Sequence, residues 1–428
     1  MRATLHQARS FDRPVCLLLI NQLTINIGFY MLMPYLAGHL SQNLGLAAWL
    51  VGLVLGVRNL SQQGMFLVGG SLADRLGYKP MILTGLVLRT VGFALLGLAG
   101  SLPVLLLASA LTGLAGALFN PAVRAYLALE AGERKTEAFA VFNVFYQLGI
   151  LIGPLVGLLL GGIAFRVTCL TAAAVFAVLT LAQARALPAR RGARAQAGQT
   201  LLSDWGRVLR DRAFLLFSLA MIGSYVLNFQ IYLGLPIQVQ QVTSGRLGIT
   251  LLFAVSALLA IVGQVHITAW AKSRWSPGQA MTRGLALMGA SFVPMAVTAT
   301  AAPPATSWQS AALALAPVLL TTALLSLATM IVYPFEMATV ASLGGESMIG
   351  TYYGLYNSVT GVGIAAGNLL TGAALDLGRR IGLPSLPWWT LAALGAACAL
   401  AVHALSRTGR LSPAEPPRRP EKAMTSTG

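Results

Sequence analysis

An all-α membrane protein of twelve transmembrane helices, arranged as two pseudo-symmetric six-helix bundles, is the fold class this sequence predicts. Three observations carry the prediction. Of 428 residues, 56% are hydrophobic and only 10% charged, too few charges to solvate a globular surface of this size. The apolar residues fall in about twelve runs, each near the roughly 20 residues that cross a bilayer. The later runs repeat landmarks of the earlier ones in the same order.

Taken in order, the first six runs lie near residues 14–38, 47–72, 80–100, 102–128, 137–163 and 165–186. The second six lie near 213–237, 247–271, 280–299, 309–339, 348–375 and 387–406. The predicted units are an N-terminal bundle over 1–186, a linker over 187–211, a C-terminal bundle over 212–406 and a disordered tail over 407–428. In the linker, Pro188, Gly192 and Gly198 interrupt the chain and Arg and Gln replace apolar residues. Its Leu201, Leu202 and Trp205 predict a short amphipathic helix resting on an anionic membrane surface. Pro413, Pro416, Pro417 and Pro420 set the character of the tail.

The net charge of +17 is distributed among the links. Arg2, Arg9 and Arg13 precede the first run, Arg75 and Lys79 follow the second, and Arg134 and Lys135 follow the fourth. Arg190, Arg191, Arg194, Arg207, Arg210 and Arg212 fill the middle, and the alternate links hold little Lys or Arg apart from Arg379 and Arg380. That bias predicts an inner-membrane protein with both termini and the linker in the cytoplasm, and it speaks against nucleic acid as a partner. The first run lacks a cleavage pattern and reads as a retained span. Cys16, Cys169 and Cys398 are far apart, the four histidines form no metal-binding pattern, and phosphate loops, nucleophile elbows and paired carboxylates are missing. Enzymatic chemistry, a metal and a cofactor are not expected.

The internal repeat is specific. Asn143, Gly149, Ile150 and Gly153 recur as Asn357, Gly363, Ile364 and Gly367 at an offset of 214, and Pro121 recurs as Pro334 at 213. Gln22, Asn26 and Tyr30 stand at i, i+4, i+8 in the first run, as Ser224, Asn228 and Tyr232 do in the seventh. Duplicated bundles of this kind make transporters whose site lies between the halves near mid-membrane, with access alternating as the halves rock.

Several residues carry chemistry. In the link over residues 70–80, Asp74 at the end of the second span can meet helix ends of neighbouring spans, with contacts that change as the halves part. With Gly70, Arg75, Gly77 and Lys79 it is expected to latch the outward-facing state. Gly149, Gly153 and Gly157 line one helical face beside Pro154, which permits close helix approach at a seam. Arg58 and Arg89 fall near the middle of spans, and Arg124 and Glu336 toward the inner ends of theirs; charges within spans are costly and mark functional positions. Arg124 and Glu336 occupy near-equivalent places in the repeat, which predicts a cross-cavity ion pair, either a gate or the proton-coupling pair. Arg58 and Arg89 have no acid in the membrane part of the first half. They line a hydrated cavity, attract an anionic group of the substrate, or bond helix carbonyls and the amides of Gln62 and Gln63.

These residues match a known family. Gly70, Leu72, Ala73, Asp74, Arg75, Gly77 and Lys79 resemble the signature of the major facilitator superfamily between its second and third spans, with Tyr78 where a second basic residue is usual. Residues 149–157 resemble the fifth-span motif of its drug:proton antiporters, with Leu158 replacing the second glycine. Arg58, Gln62, Gln63, Gly64, Thr84, Gly85 and Arg89 are similar to the MdtH-like multidrug-resistance group. Two departures stand out: Asn21 where that group carries an acid, and Ser109 where a basic residue is usual. The resemblance implies a secondary active transporter that exports small amphipathic compounds, a multidrug efflux system, in exchange for protons and acting as a monomer. It also implies that Gln22, Asn26, Tyr30, Tyr146, Asn228, Tyr232 and Tyr333 face the substrate cavity. A dedicated metabolite or siderophore exporter of the same fold is the alternative, and a non-transporting sensor or partner protein is the rival of another class.

Overall fold

The computed structural model describes residues 2–40, 44, 46, 48–161, 164–190, 201–242, 247–299, 308–345 and 348–408. Most of the expected disordered tail lies outside them. The regular elements among these residues are all helical. The first half contains α1 (Arg2–Arg9), α2 (Arg13–Tyr30), α3 (Met33–Gly38), α4 (Ala48–Leu76), α5 (Tyr78–Leu98), α6 (Leu102–Ala131), α7 (Lys135–Gly161) and α8 (Phe165–Ala186). The linker holds α9 (Leu201–Arg210). The second half contains α10 (Arg212–Phe229), α11 (Gly234–Val242), α12 (Leu247–Arg274), α13 (Pro277–Ala290), α14 (Val293–Thr298), α15 (Trp308–Leu343), α16 (Ile349–Arg380) and α17 (Leu386–Arg407). Nine helical stretches among the described residues are long and apolar enough to cross a membrane, and one of them, Leu102–Gly157, runs α6 and α7 together.

Three expected spans are broken. The first divides into α2 and α3, the seventh into α10 and α11, and the ninth into α13 and α14. Pro34 and Pro294 stand in the first turns of α3 and α14, where a missing N–H and the ring's clash with the preceding turn interrupt a continuous helix. Gly234 and Pro236 open α11. With each broken pair taken as one span, the elements account for the twelve that the hydropathy predicts.

Packing repeats the sequence duplication. In the first half α6 packs on α4 and α5, α8 on α5 and α2, and α7 on α2. In the second half α15 packs on α12 and α13, α17 on α13 and α10, and α16 on α10. The halves meet where α4 lies on α16 and α7 on α12.

One face gathers the basic links. There Tyr78 N donates to Arg190 O at 3.1 Å, Arg190 pairs with Glu130 at 2.7 Å, and Tyr126 Oη donates to Pro188 O at 2.8 Å. The linker is thereby strapped to the first half. Helix α9 lies across the seam: Arg75 Nε donates to Asp204 Oδ2 at 3.0 Å, Trp205 Nε1 donates to Ser71 Oγ at 2.7 Å, and Val208 is buried. The short helix forms as expected, but Trp205, expected on its membrane-facing side, packs on α4 instead. Trp205 and the acid turn inward because Ser71 and Arg75 supply partners, while Leu202 and Leu209 remain outside.

Candidate transport site

Asp74 is the centre of the seam at the basic face. Its carboxylate accepts from Gly350 N at 2.8 Å, Thr351 N at 2.6 Å and Thr351 Oγ1 at 2.7 Å, all at the N-terminus of α16. Tyr78 Oη adds a fourth bond at 3.3 Å. A helix N-terminus presents unpaired N–H groups and the positive end of the macrodipole, so a buried carboxylate is stabilised there. The approach demands glycine: a Cβ on Gly70 would lie 2.0 Å from Gly350 O, and one on Gly354 would lie 2.5 Å from Phe66 O. Gly77, which starts the turn into α5, has φ +101°, a conformation that favours glycine. Arg75 engages the linker, and Lys79 Nζ donates to Ala184 O at the end of α8, so neither cation touches the second half.

A second crossing mirrors the first at α7 and α12. Glu137 accepts from Lys272 at 2.7 Å and from Arg134 at 2.9 Å, and deeper in the seam Asn143 Nδ2 donates to Gln264 Oε1 at 2.7 Å. The equivalent of Asn143, Asn357, accepts from Arg124 Nη1 at 2.9 Å. Farther along, Gly361 on α16 meets the amide of Gln63, whereas Gly56 on α4 and Gly372 on α16 have open space where a Cβ would stand.

The glycine motif lies elsewhere than expected. Cβ atoms on Gly149, Gly153 and Gly157 would fall 2.4 Å from Asn26 Cβ, 2.7 Å from Tyr30 Cβ and 2.0 Å from Met31 O, and Tyr35 Oη donates to Pro154 O at 2.8 Å. The stripe therefore clamps α7 to α2 and α3 within the first half rather than forming the seam between halves. Its repeat, Gly363 and Gly367, packs on Ile222 and Val226 of α10 in the same way.

Above the seam the predicted cavity residues converge. Gln22 Nε2 donates to Asn26 Oδ1 at 3.1 Å, and Asn26 Nδ2 to Tyr146 O at 2.9 Å. Tyr30 stands near Tyr146, Tyr232 and Arg58, and Arg58 near Tyr146. Asn228, Tyr333 and Glu336 line a cleft with Ser224, Tyr225 and Thr329 in the second half. Glu336 is 2% exposed and enclosed by its neighbours. Tyr356 Oη donates to its Oε1, and Ser224 Oγ stands 3.2 Å from the same oxygen. Arg124 reaches Glu336 only through space. The ion pair predicted between them is replaced by Arg124–Asn357, because Asn357 of α16 stands within reach of the guanidinium. Arg58 Nη2 donates to Gln62 Oε1 at 2.9 Å, and Arg89 is buried among Phe29, Phe119 and Phe176.

Residues 18–368 match the model of the Major Facilitator Superfamily. The chain belongs to that superfamily. It is 51% identical over 389 residues to the uncharacterized MFS-type transporter Rv0849 of Mycobacterium tuberculosis, covering 90% of this chain and 92% of the relative. It is 32% identical over 394 residues to the multidrug resistance protein MdtH of Yersinia pestis, covering 92% and 94%. Among solved structures, the human organic anion transporter MFSD10 superposes with a TM-score of 0.71 at 18% identity, covering 91% of this chain and 99% of the other. The Escherichia coli fucose:proton symporter FucP follows at 0.66 and 15%, covering 92% and 98%. These two likenesses concern the fold. As a superfamily member the chain is a multi-pass transporter rather than an enzyme.

Sequence reasoning missed several partners that this major facilitator site uses. Gly350 and Thr351 are ordinary helix-start residues and carry no motif. Asn357 was legible only through the repeat, which marked Asn143 and Asn357 together, and Tyr356 carried no signal. Glu137, Lys272 and Gln264 belong to no motif, and the contact of α7 with α12 is what brings them together.

Proposed function

We propose that this transporter resides in the inner membrane with its basic face and termini in the cytoplasm, acts as a monomer, and exports small amphipathic compounds in exchange for protons. Residues 1–186 and 212–406 rock as two bundles joined by 187–211. The observation that carries the coupling role is Glu336. It is a buried carboxylate on the cavity wall, held by the hydroxyls of Ser224 and Tyr356 and without an ion-pair partner within 4 Å among the described residues. Neutral hydroxyl partners permit both a charged and a protonated carboxyl, whereas a tight ion pair would hold it charged. Proton binding at Glu336 and substrate binding between Tyr146 and Tyr333 would then compete across one cavity. The positive-inside bias supports the orientation. The likeness to MdtH, a multidrug resistance protein, supports efflux of several compounds.

The test is proton movement in everted vesicles under an imposed pH gradient, followed with a pH-sensitive dye as compounds of different charge are added. Proton efflux on addition of several unrelated compounds is expected. Glu336→Gln should abolish that driven flux and spare substrate binding; driven flux that persists in this variant removes Glu336 from the mechanism.

A further inference from the structure

The coupling role of Glu336 leaves two cations near the middle of the first half without a task. The guanidinium carbons of Arg58 and Arg89 lie 4.7 and 5.4 Å from the centroid of the same Phe29 ring. Arg89 is 6% exposed, and Phe119 and Phe176 close around it at 5.8 and 5.9 Å. The Nε of each guanidinium is buried without a hydrogen-bond partner. The groups that Arg58 does reach, Asn59 Oδ1 at 2.8 Å and Gln62 Oε1 at 2.9 Å, are neutral amides. Amides satisfy donors but cancel no charge.

The electrostatic neighbours of this pair make the imbalance plain. Tyr30 and Tyr146, neutral phenols, stand near both cations, and the two guanidinium groups share the Phe29 ring. The carboxylate of Glu336 stands on the second half and is held by the hydroxyls of Ser224 and Tyr356. Buried charges are ordinarily paired, and a buried cation beside a second one is the more costly arrangement. Arg58, Tyr30 and Tyr146 are only partly buried, so the cluster is open on one side. Guanidinium groups present planar forks that match a carboxylate, and they are weakly enough hydrated to work in an apolar wall.

We infer that Arg58 and Arg89 form the anion-reading end of the central site, and that its preferred compounds are amphipathic organic acids. A flat apolar body would lie among Tyr30, Tyr146 and Tyr232, with one carboxylate turned to Arg58 and the second cation, Arg89, behind it. The assignment rests on the transport function proposed above for the location of the site, and not for proton coupling.

The experiment uses the full chain in nanodiscs of zwitterionic lipid without a pH gradient, so that no lipid anion competes. Binding of 1-naphthoate, 1-naphthamide and 1-naphthylmethylamine is compared, since the three share one apolar body. The acid should bind at least tenfold more tightly than the amide, and the amine most weakly. Arg58→Gln should bring the acid-to-amide ratio near one, and Arg58→Lys should restore most of it, which a merely structural role for Arg58 would not do. An acid that binds no better than the amide, or a preference that survives Arg58→Gln, overturns the assignment. Flux separates the two proposals. Proton-driven export of amide and amine as fast as acid would retain coupling and remove anion reading, whereas Arg58-dependent binding of the acid without driven flux would do the reverse.

Discussion

Asp74 illustrates how one side chain can report the state of the whole transporter. Its three bonds to Gly350 and Thr351 exist only while the basic end of α4 touches the start of α16. Hydrogen bonds to a charged group contribute about 1.5–3 kcal/mol each, so their loss outweighs the modest stabilisation of an exposed ion pair. Asp74→Asn keeps the size of the side chain and removes the charge. The population closed at the basic face should fall about tenfold or more, read as a longer spin-label distance between α4 and α16; an unchanged distance distribution would remove Asp74 as a latch. Glu336 makes the complementary point, since its buried oxygen meets hydroxyls rather than the expected arginine.

At the scale of elements, α9 converts a connecting segment into a clasp. Asp204 and Arg75 form a partly buried pair, with side chains 10% and 22% exposed, and Trp205 reaches Ser71 on α4. The same helix brings Arg207 to Met348, the residue before α16 of the second half, at 3.8 Å from sulfur. Asp204→Asn should cost about 1 kcal/mol in docking and raise amide hydrogen exchange in α9 several-fold while α4 and α16 keep their protection. Uniform protection of α9 in the variant would show that Trp205 and Val208 alone hold it. The glycine stripe on α7 acts at this scale too, fixing Tyr30 of α2 beside Tyr146 by close approach rather than yielding as the halves move.

For the whole molecule, the two crossings at the basic face are related by the internal repeat. Asp74 on α4 meets the start of α16, and Glu137 at the start of α7 meets Lys272 near the end of α12. Charge reversal tests whether the second is a lock. Glu137→Lys and Lys272→Glu should each open the basic face in a distance measurement across it, and the double reversal should restore closure, apart from the effect on Arg134. The coupling is expected at about 0.2–1 kcal/mol, since both side chains are partly exposed. Additive single effects would show that the pair is incidental to closure.

Hydropathy runs, the link charges and the offset of 214 between repeats determined the class of this protein, its span pattern and the duplication without any coordinates, because each is a local or periodic property of the chain. The two polar faces were legible for the same reason: Gln22, Asn26 and Tyr30, like Ser224, Asn228 and Tyr232, recur at i, i+4 and i+8. Their partners were not. That Arg124 bonds Asn357, that Arg75 holds the linker, that α9 turns Trp205 inward and that the glycine stripe faces α2 depend on contacts between residues up to 233 positions apart. Such choices are made by which donor lies nearest once the helices are packed, and in a membrane interior an unsatisfied polar group takes the partner that packing delivers.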